Sequence, residues 1–232
     1  MLVSAALLNP RLAFCGKAEE AILRGNECVQ KKDYDGAVKE YENALKMDPK
    51  NGKAHLLLGL TFANKGDLDK AVKFSKYSLT IEPTYAAYHN LGLIYANKGE
   101  YQNALDAYES ALKINPSSAS AWYQMGLLHS GNGNFKEGIE AYKKALGLNP
   151  GLDSAYLGLG SAYYWSGDTA SAMEQVNQLR LVKMTEKANQ LEDWIKNKEE
   201  KKKEGKTQTQ ASSEAQSQPP AASSSPTPDK TS

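Results

Sequence analysis

The sequence is poor in three features that define whole classes of protein. Its two cysteines, Cys15 and Cys28, cannot crosslink a fold of 232 residues, which excludes a disulfide-stabilised scaffold. Its longest apolar stretch, residues 2–8, is far shorter than the roughly 18 residues that a membrane-spanning helix needs. Its 28 basic residues are balanced by 27 acidic ones, and the lack of a basic excess argues against general nucleic-acid binding.

Prolines recur at an almost constant interval. Pro49, Pro83, Pro116 and Pro150 are 34, 33 and 34 residues apart. A fixed period of this length indicates a repeat architecture. The missing residue follows Pro83, in a predicted connecting loop, so the helical faces stay in register.

Each period carries a helical stripe with a glycine in it. Apolar or aromatic residues occupy the fourth, seventh and eleventh positions and glycine the eighth, as in Tyr88, Leu91, Tyr95 and Gly92. Spacings of three and four residues trace one face of an α-helix. Because glycine costs a helix about 1 kcal/mol relative to alanine, its recurrence predicts a second helix that approaches too closely for a side chain.

The second helix and the turns repeat as well. Small residues flank a ring in Ala37, Tyr41, Ala44 and again in Ala104, Tyr108, Ala111. The turns contain Gly66-Asp67, Gly99-Glu100, Gly133-Asn134 and Gly167-Asp168. Glycine can close the first helix in the left-handed conformation, an Asp or Asn can cap the second, and each proline ends the second helix.

These residues resemble the tetratricopeptide repeat, whose pattern W-x2-L-G-x2-Y, A-x3-F and P extends over 34 residues. The resemblance implies an all-α fold, a right-handed α-solenoid of about five helix-turn-helix units. The units are 18–51, 52–84, 85–118, 119–152 and 153–184. The first unit has a degenerate opening helix, and the fifth has Met184 in place of its proline, as expected of atypical end repeats.

The residues after the repeats predict a capping helix and a tail. Residues 185–206 are highly charged, with Ala188, Leu191, Trp194 and Ile195 at helical spacing. This apolar stripe predicts a helix that covers the last repeat; the alternative is dimerisation through Trp194, which we favour less. Residues 207–232 are rich in Ser, Gln, Pro, Thr and Ala, a composition typical of a disordered tail.

The first sixteen residues do not belong to the repeat. An apolar stretch that ends in Ala13-Phe14-Cys15 is typical of an export signal cleaved before Gly16, although no basic region precedes it and Pro10-Arg11 interrupt it. One explanation is that translation begins further upstream and the sequence starts partway into the signal. Phe14 does not suit lipoprotein cleavage before Cys15. The sequence therefore predicts an exported or periplasmic protein; the alternative is an apolar helix folded on the first repeat of a cytoplasmic protein.

No arrangement of residues predicts catalysis, a metal site or a cofactor. His55, His89 and His129 take different places in their repeats and lack a second ligand at metal-binding spacing, and His129 and Cys28 occupy a core position. There is no glycine-rich phosphate loop and no Ser/His/Asp set. Lys201, Lys202 and Lys203 are balanced by neighbouring glutamates, which argues against a nucleic-acid site.

The resemblance implies a binding surface. In this family the first helices line a concave groove, and their second, fifth, sixth, ninth, twelfth and thirteenth positions contact a partner protein or peptide. Those positions hold Asn26; Lys53, Leu56, Leu57 and Leu60; His89, Asn90, Leu93 and Asn97; Tyr123, Gln124 and Leu127; and Leu157, Ser161 and Trp165. Alternatively some of them, notably Leu57 and Leu60, only pack neighbouring repeats together.

The predicted groove is neutral, partly apolar and partly amide. Relatives that hold the acidic tail of cytosolic chaperones use a clamp of Lys, Asn and Arg, and here Ile22, Asn26, Leu57, Ala86 and Asn90 take its places. Only Asn26 fits. We therefore predict a non-enzymatic adaptor that binds a polypeptide through apolar anchors and amide hydrogen bonds. The alternatives are an exported structural accessory of an envelope or pilus assembly complex and a regulatory subunit of an enzyme complex.

Overall fold

A computed structural model describes residues 10–217, with side chains described over 16–204. Within this range the chain forms eleven helices and no strand. They are α1 (Pro10–Gln30), α2 (Tyr34–Met47), α3 (Gly52–Asn64), α4 (Leu68–Ile81), α5 (Tyr85–Lys98), α6 (Tyr101–Ile114), α7 (Ala119–Gly131), α8 (Phe135–Leu148), α9 (Asp153–Trp165), α10 (Thr169–Leu181) and α11 (Thr185–Ser217). Residues 1–9 of the predicted signal and 218–232 of the predicted tail lie outside the described residues.

Consecutive helices pack in pairs, and each pair is one predicted repeat. The first and second helices of a repeat make the most extensive contacts, and each second helix then packs on the first helix of the next repeat. The first helices of neighbouring repeats also touch, as α3 does α5 and α7 does α9, whereas neighbouring second helices lie further apart. The first helices therefore line the inner side of the stack, which confirms the predicted solenoid.

The turns inside the repeats follow the local signals. Gly66, Gly99, Gly133 and Gly167 have φ of +83°, +75°, +81° and +92°, the left-handed region that glycine enters without strain. The side chains of Asp33, Asp67 and Asp168 cap the second helices by accepting backbone N–H groups. The predicted cap at Asn134 is wrong, because its side chain makes no such bond and the turn is closed by backbone hydrogen bonds alone.

Caps on the first helices were not predicted. The side chains of Asn51, Thr84 and Ser118 accept the backbone N–H of Ala54, Ala87 and Ala121 at 2.9, 3.2 and 3.1 Å. At the other end of repeats one to four, the proline directly follows the C-cap residue of the second helix, as predicted. Repeats two, three and four thus begin and end at signals a few residues long.

The recurrent glycine is a point of close helix contact, as predicted. A Cβ placed on Gly92 or Gly126 would lie 2.8 or 2.6 Å from the ring of Tyr108 or Tyr142. Gly25 is opposed by Tyr41 in the same way. In repeat two the opposing group is the smaller Ser75, and in repeat five it is Leu191 of α11.

The last helix covers the end of the stack. Ala188, Leu191 and Ile195 are at most 4% exposed and pack with residues of α9 and α10, which confirms the predicted capping stripe. Trp194 lies against Tyr164, with ring centroids 5.2 Å apart. The helix continues to Ser217, beyond the predicted boundary at residue 206. Residues 207–217 contain no proline or glycine, and extending an existing helix costs little.

Neither end of the described chain contains a membrane-spanning helix. None of the helices formed by residues 10–217 is both long and apolar enough to cross a bilayer. α1 begins at Pro10, inside the predicted signal, and continues through Gly16 into the first repeat. Its first buried side chain among those described is Ala18.

Candidate peptide-binding groove

The predicted binding residues all lie on the first helices, on the inner side of the stack. Lys53 and Asn97 are exposed, and Leu127 is 41% exposed. Trp165, at the far end, is 51% exposed. The others are half-buried: Asn26, Leu56, Leu60, His89, Asn90, Leu93, Tyr123, Gln124, Leu157 and Ser161. The groove thus presents partly exposed side chains along its length.

A pocket of about 320 Å³ lies between α1 and α3 in this groove. It brings three of the predicted residues, Asn26, Leu57 and Leu60, to one place. Its lining is Asn26, Val29, Gln30, Tyr41, Leu57, Leu60, Thr61 and Asn64. None of these lining side chains is charged, so the pocket suits apolar side chains and peptide amides.

One hydrogen bond orients the polar side of the pocket. The Tyr41 hydroxyl donates to Oδ1 of Asn26 at 2.8 Å. The Asn26 carboxamide is therefore held in one orientation, and its amide nitrogen has no partner among the described residues. Burial raises the pKa of Tyr41, which keeps its hydroxyl protonated and able to donate at neutral pH.

Five lining residues, Val29, Gln30, Tyr41, Thr61 and Asn64, were absent from our predicted binding set, and Leu57 was assigned to it with a packing alternative. Leu57 both lines the pocket and packs on the core of repeats one and two, so both interpretations apply to it. Val29, Gln30 and Asn64 occupy the twelfth and thirteenth positions of their repeats. The same positional rule that selected Asn97 would have found them.

The middle of the groove is partly used for packing. His89 Nε2 lies 3.1 Å from Oγ of Ser120 in the next repeat, and its ring meets Tyr108 with a centroid distance of 5.5 Å. Burial lowers the pKa of His89, which favours the neutral ring. Tyr123 packs on Tyr142 at 5.9 Å. These two residues support the repeat as well as line the groove.

The N-terminal end of the groove holds its one predicted charge in an ion pair. Nζ of Lys53 lies 2.7 Å from a carboxylate oxygen of Glu19. Both side chains are half exposed or more, so water screens the pair and it contributes little stability. The pair leaves the predicted neutral character of the groove unchanged.

Comparison with known proteins agrees with this architecture. Profiles described as "TPR repeat" match residues 25–66 and 92–133, and profiles described as "Tetratricopeptide repeat" match 54–84 and 119–152. Together they cover more than half of the chain. The protein belongs to the tetratricopeptide repeat family.

Individual relatives share part or most of the stack. A small glutamine-rich tetratricopeptide repeat-containing protein 2 from Saccharomyces cerevisiae is 30% identical over 105 residues, 45% of this chain and 30% of its own length. The counterpart from Mycosarcoma maydis is 28% identical over 103 residues, 44% of this chain and 29% of its own. The chain thus spans less than a third of the length of the curated relatives it matches.

Solved structures extend the likeness to the whole stack. A crystal structure of MamA protein is 31% identical, with a TM-score of 0.65 over 71% of this chain and 91% of that one. YrrB, described as a TPR protein with an unusual peptide-binding site, is 18% identical with a TM-score of 0.63, covering 82% of this chain and 96% of its own. At that identity the likeness to YrrB shows the fold alone.

Proposed function

We propose that this protein is a non-enzymatic adaptor that binds an extended segment of another polypeptide along its first helices. The observation that carries the proposal is the uncharged pocket between α1 and α3. Its leucines can bury an apolar side chain of the partner. Its amides can bond to the partner's backbone, which an extended peptide leaves free.

Four carboxylates with lowered pKa values have structural explanations. The pKa values of Asp67 and Asp168 lie below their usual range because these carboxylates accept hydrogen bonds, from Lys70 and from Ser171. Glu100 and Glu192 have lowered pKa values through hydrogen bonds from Lys98 and Lys196. These shifts come from surface pairs and helix caps, which supports an adaptor rather than an enzyme.

The adaptor can be tested with substitutions that spare the core. We expect Gln30→Ala combined with Asn64→Ala to weaken partner binding, because both amides line the pocket and neither belongs to the buried core. Ile114→Ala, an exposed residue at the end of α6, is the matched control. The measurement is quantitative crosslinking mass spectrometry in the native compartment. If the double variant and the Ile114→Ala control recover crosslinked partners equally, with the fold intact, the groove is excluded as the binding site.

We also propose that the protein is exported. The Ala13-Phe14-Cys15 sequence supports cleavage before Gly16. Such cleavage would leave Ala18, the first buried side chain among the described residues of α1, in place. Fractionation with N-terminal sequencing of the mature protein tests this: a chain that begins at Gly16 is expected, and an intact Met1 in the cytosol would contradict export.

A further inference from the structure

The outer surface of repeat two carries a hollow of about 340 Å³ between α2, α3 and α4. We call it the outer hollow, and its lining is Leu45, Pro49, His55, Lys73, Phe74 and Tyr77. It lies away from the groove pocket, with which it shares no lining residue. Tyr77 is 49% exposed although its ring contacts His55 at a centroid distance of 4.4 Å. A hollow with aromatic walls can bury a large apolar side chain of a partner.

The other repeats show that helix pairing does not require these rings. Phe74 and Tyr77 are the seventh and tenth residues of α4. The corresponding pairs in α2, α6, α8 and α10 are Glu40 and Asn43, Ala107 and Ser110, Ala141 and Lys144, and Gln175 and Gln178. Four repeats therefore fold with small, amide or charged residues at these positions. The exposed ring of Tyr77 needs another explanation.

The walls of the outer hollow are held in place by their neighbours. Nε2 of His55 donates to the carbonyl oxygen of Pro49 at 3.1 Å, since a carbonyl can only accept. Phe74 stacks on Phe62, with centroids 5.4 Å apart and planes 7° from parallel. A site that is already ordered loses little side-chain entropy when a ligand binds.

The charge around the outer hollow is positive. Lys73 lines it, and the exposed residues Lys46 and Lys50 directly follow Leu45 and Pro49 in the sequence. The acidic neighbour, Asp48, accepts hydrogen bonds from the Lys50 backbone and the Asn51 side chain, so three lysines stand against one carboxylate. Neither Lys50 nor Lys73 forms a salt bridge with any described residue. None of the lining side chains is acidic. The hollow is therefore complementary to an apolar group with carboxylates beside it.

Repeat four has a hollow at the equivalent place with a different character. It measures about 390 Å³ and is lined by Trp122, Met125, His129, Lys136, Glu137, Glu140, Ala141 and Lys144. Its two lysines and two glutamates compensate each other. Nζ of Lys144 lies 4.1 Å from the centroid of the Trp122 ring, whereas Nζ of Lys73 in the outer hollow lies 5.9 Å from that of Phe74, at the limit of such a contact. The outer hollow of repeat two thus differs in its less closely covered ring and in a lysine without an acidic lining residue beside it.

We propose that the outer hollow binds an acidic segment of a partner polypeptide that carries one large apolar side chain. Leucine, phenylalanine or tryptophan of the partner packs against Phe74 and Tyr77. Carboxylates on either side of this anchor face Lys73 and the neighbouring lysines. The outer hollow is a second binding surface, independent of the concave groove, so one chain can hold two partners or two segments of one partner.

The test is a selection of random 12-residue displayed peptides on the full-length protein. Enriched peptides are then titrated by fluorescence anisotropy against Tyr77→Ser and Lys73→Glu. These substitutions introduce the residues that repeat three and repeat four hold there, Ser110 and Glu140, so the fold is expected to tolerate them. The groove variant with Gln30→Ala and Asn64→Ala is the third comparison.

We expect the enriched peptides to carry leucine, phenylalanine or tryptophan flanked by Asp or Glu. Tyr77→Ser should weaken their binding about tenfold, the size of a typical anchor contact. Lys73→Glu should weaken it severalfold, with a smaller loss at high salt. The groove variant should bind them normally. Two results would contradict the outer hollow as a binding site. In the first, the enriched peptides bind wild type, Tyr77→Ser and Lys73→Glu equally. In the second, only the groove substitutions weaken their binding. The second result would leave the proposed groove function standing.

Discussion

Repeats four and five close their helix pairs in different ways. In repeat four, Gly126 meets the ring of Tyr142, which comes from the second helix of the same repeat and is 1% exposed. In repeat five, Gly160 meets Leu191, which comes from α11. In interior repeat four, the side chain that closes the helix pair by packing on this glycine comes from the repeat's own second helix. In the last repeat it comes from the following helix, α11. α11 is therefore part of the folded stack rather than an appendage.

The largest effect should come from removing α11. A chain that ends at Met184 loses Leu191 and Ile195, each of which contributes about 2 kcal/mol by burial, and it exposes the apolar side of α9 and α10. We expect repeat five to lose protection in hydrogen exchange while repeat four keeps it. A chain that ends at Ser217 retains α11 and should exchange like wild type. Unchanged protection of α9 in the shorter chain would show that repeat five closes by itself.

Leu191→Ala should destabilise the protein by about 2–5 kcal/mol, because Leu191 is 4% exposed and its loss leaves a cavity over Gly160. The matched control is Leu181→Ala, since Leu181 is 73% exposed at the end of α10. Urea denaturation measures both. Similar losses from the two substitutions would contradict the closing role of Leu191.

Adding one methyl group should distinguish the two repeats. Gly126→Ala should cost about 1–3 kcal/mol, because the new Cβ would lie 2.6 Å from the buried ring of Tyr142. Gly160→Ala should cost less, because its nearest neighbour is the end of the Leu191 side chain, which can rotate. Thermal denaturation measures the difference.

Gly147 is the control for these two substitutions. It lies in the last turn of α8, and a Cβ added to it would meet no atom of a neighbouring element within 4 Å. Gly147→Ala should therefore stabilise the protein slightly, by less than the roughly 1 kcal/mol that separates the two residues in a helix interior. If Gly126→Ala were also stabilising, close contact would not explain the glycine of the stripe.

The turns of repeats four and five should also differ in their contribution to stability, here with the larger effect in repeat five and a smaller magnitude than at the glycines. Asp168 caps α10 by accepting the N–H of Ser171 at 2.9 Å, whereas the side chain of Asn134 makes no capping bond to α8. We expect Asp168→Ala to lower the urea midpoint and Asn134→Ala to leave it nearly unchanged. Equal shifts would mean that the side-chain bond is not what stabilises the turn.

The contribution of the Asp168 cap should also depend on pH. Hydrogen bonds from Ser171 lower the pKa of Asp168 in the folded state. The stabilisation is therefore complete above the unfolded pKa of about 4 and is lost as the pH falls through the lower folded value. The midpoint difference between wild type and Asp168→Ala should shrink on acidification, while that for Asn134→Ala should stay constant. A difference that persists in acid would contradict the carboxylate as the capping group.

Local signals explain why so much of the fold could be predicted. Pro49 ends α2 and Gly99 enters the left-handed region through backbone geometry that involves only adjacent residues. The glycine of the stripe predicted close helix contact, and Gly126 on Tyr142 confirms it. Asn134 shows the limit of such signals: its turn has the same backbone hydrogen bonds as the turns at Asp67 and Asp168, yet its side chain makes no capping bond.

The candidate sites could be predicted only in part. The positions of Asn26 and Leu60 within their repeats placed both residues on the groove. Whether they share a pocket depends on the angle between α1 and α3. The outer hollow depends on residues from three helices, of which only Phe74 and Tyr77 depart visibly from the other repeats in sequence. Whether a positional candidate is free to bind or is used in packing, as His89 is, depends on its neighbours in space.

The sequence by itself determined the repeat length, the helix order and the face of each helix that packs, because these follow from periodicity and from residues that act on the adjacent backbone. The tertiary structure decided which side chain closes each repeat and where the stack leaves hollows. These depend on how neighbouring repeats are stacked, an arrangement that residues far apart in sequence set together. That is why Leu191 closes repeat five and why the hollow beside Tyr77 lies open to a partner.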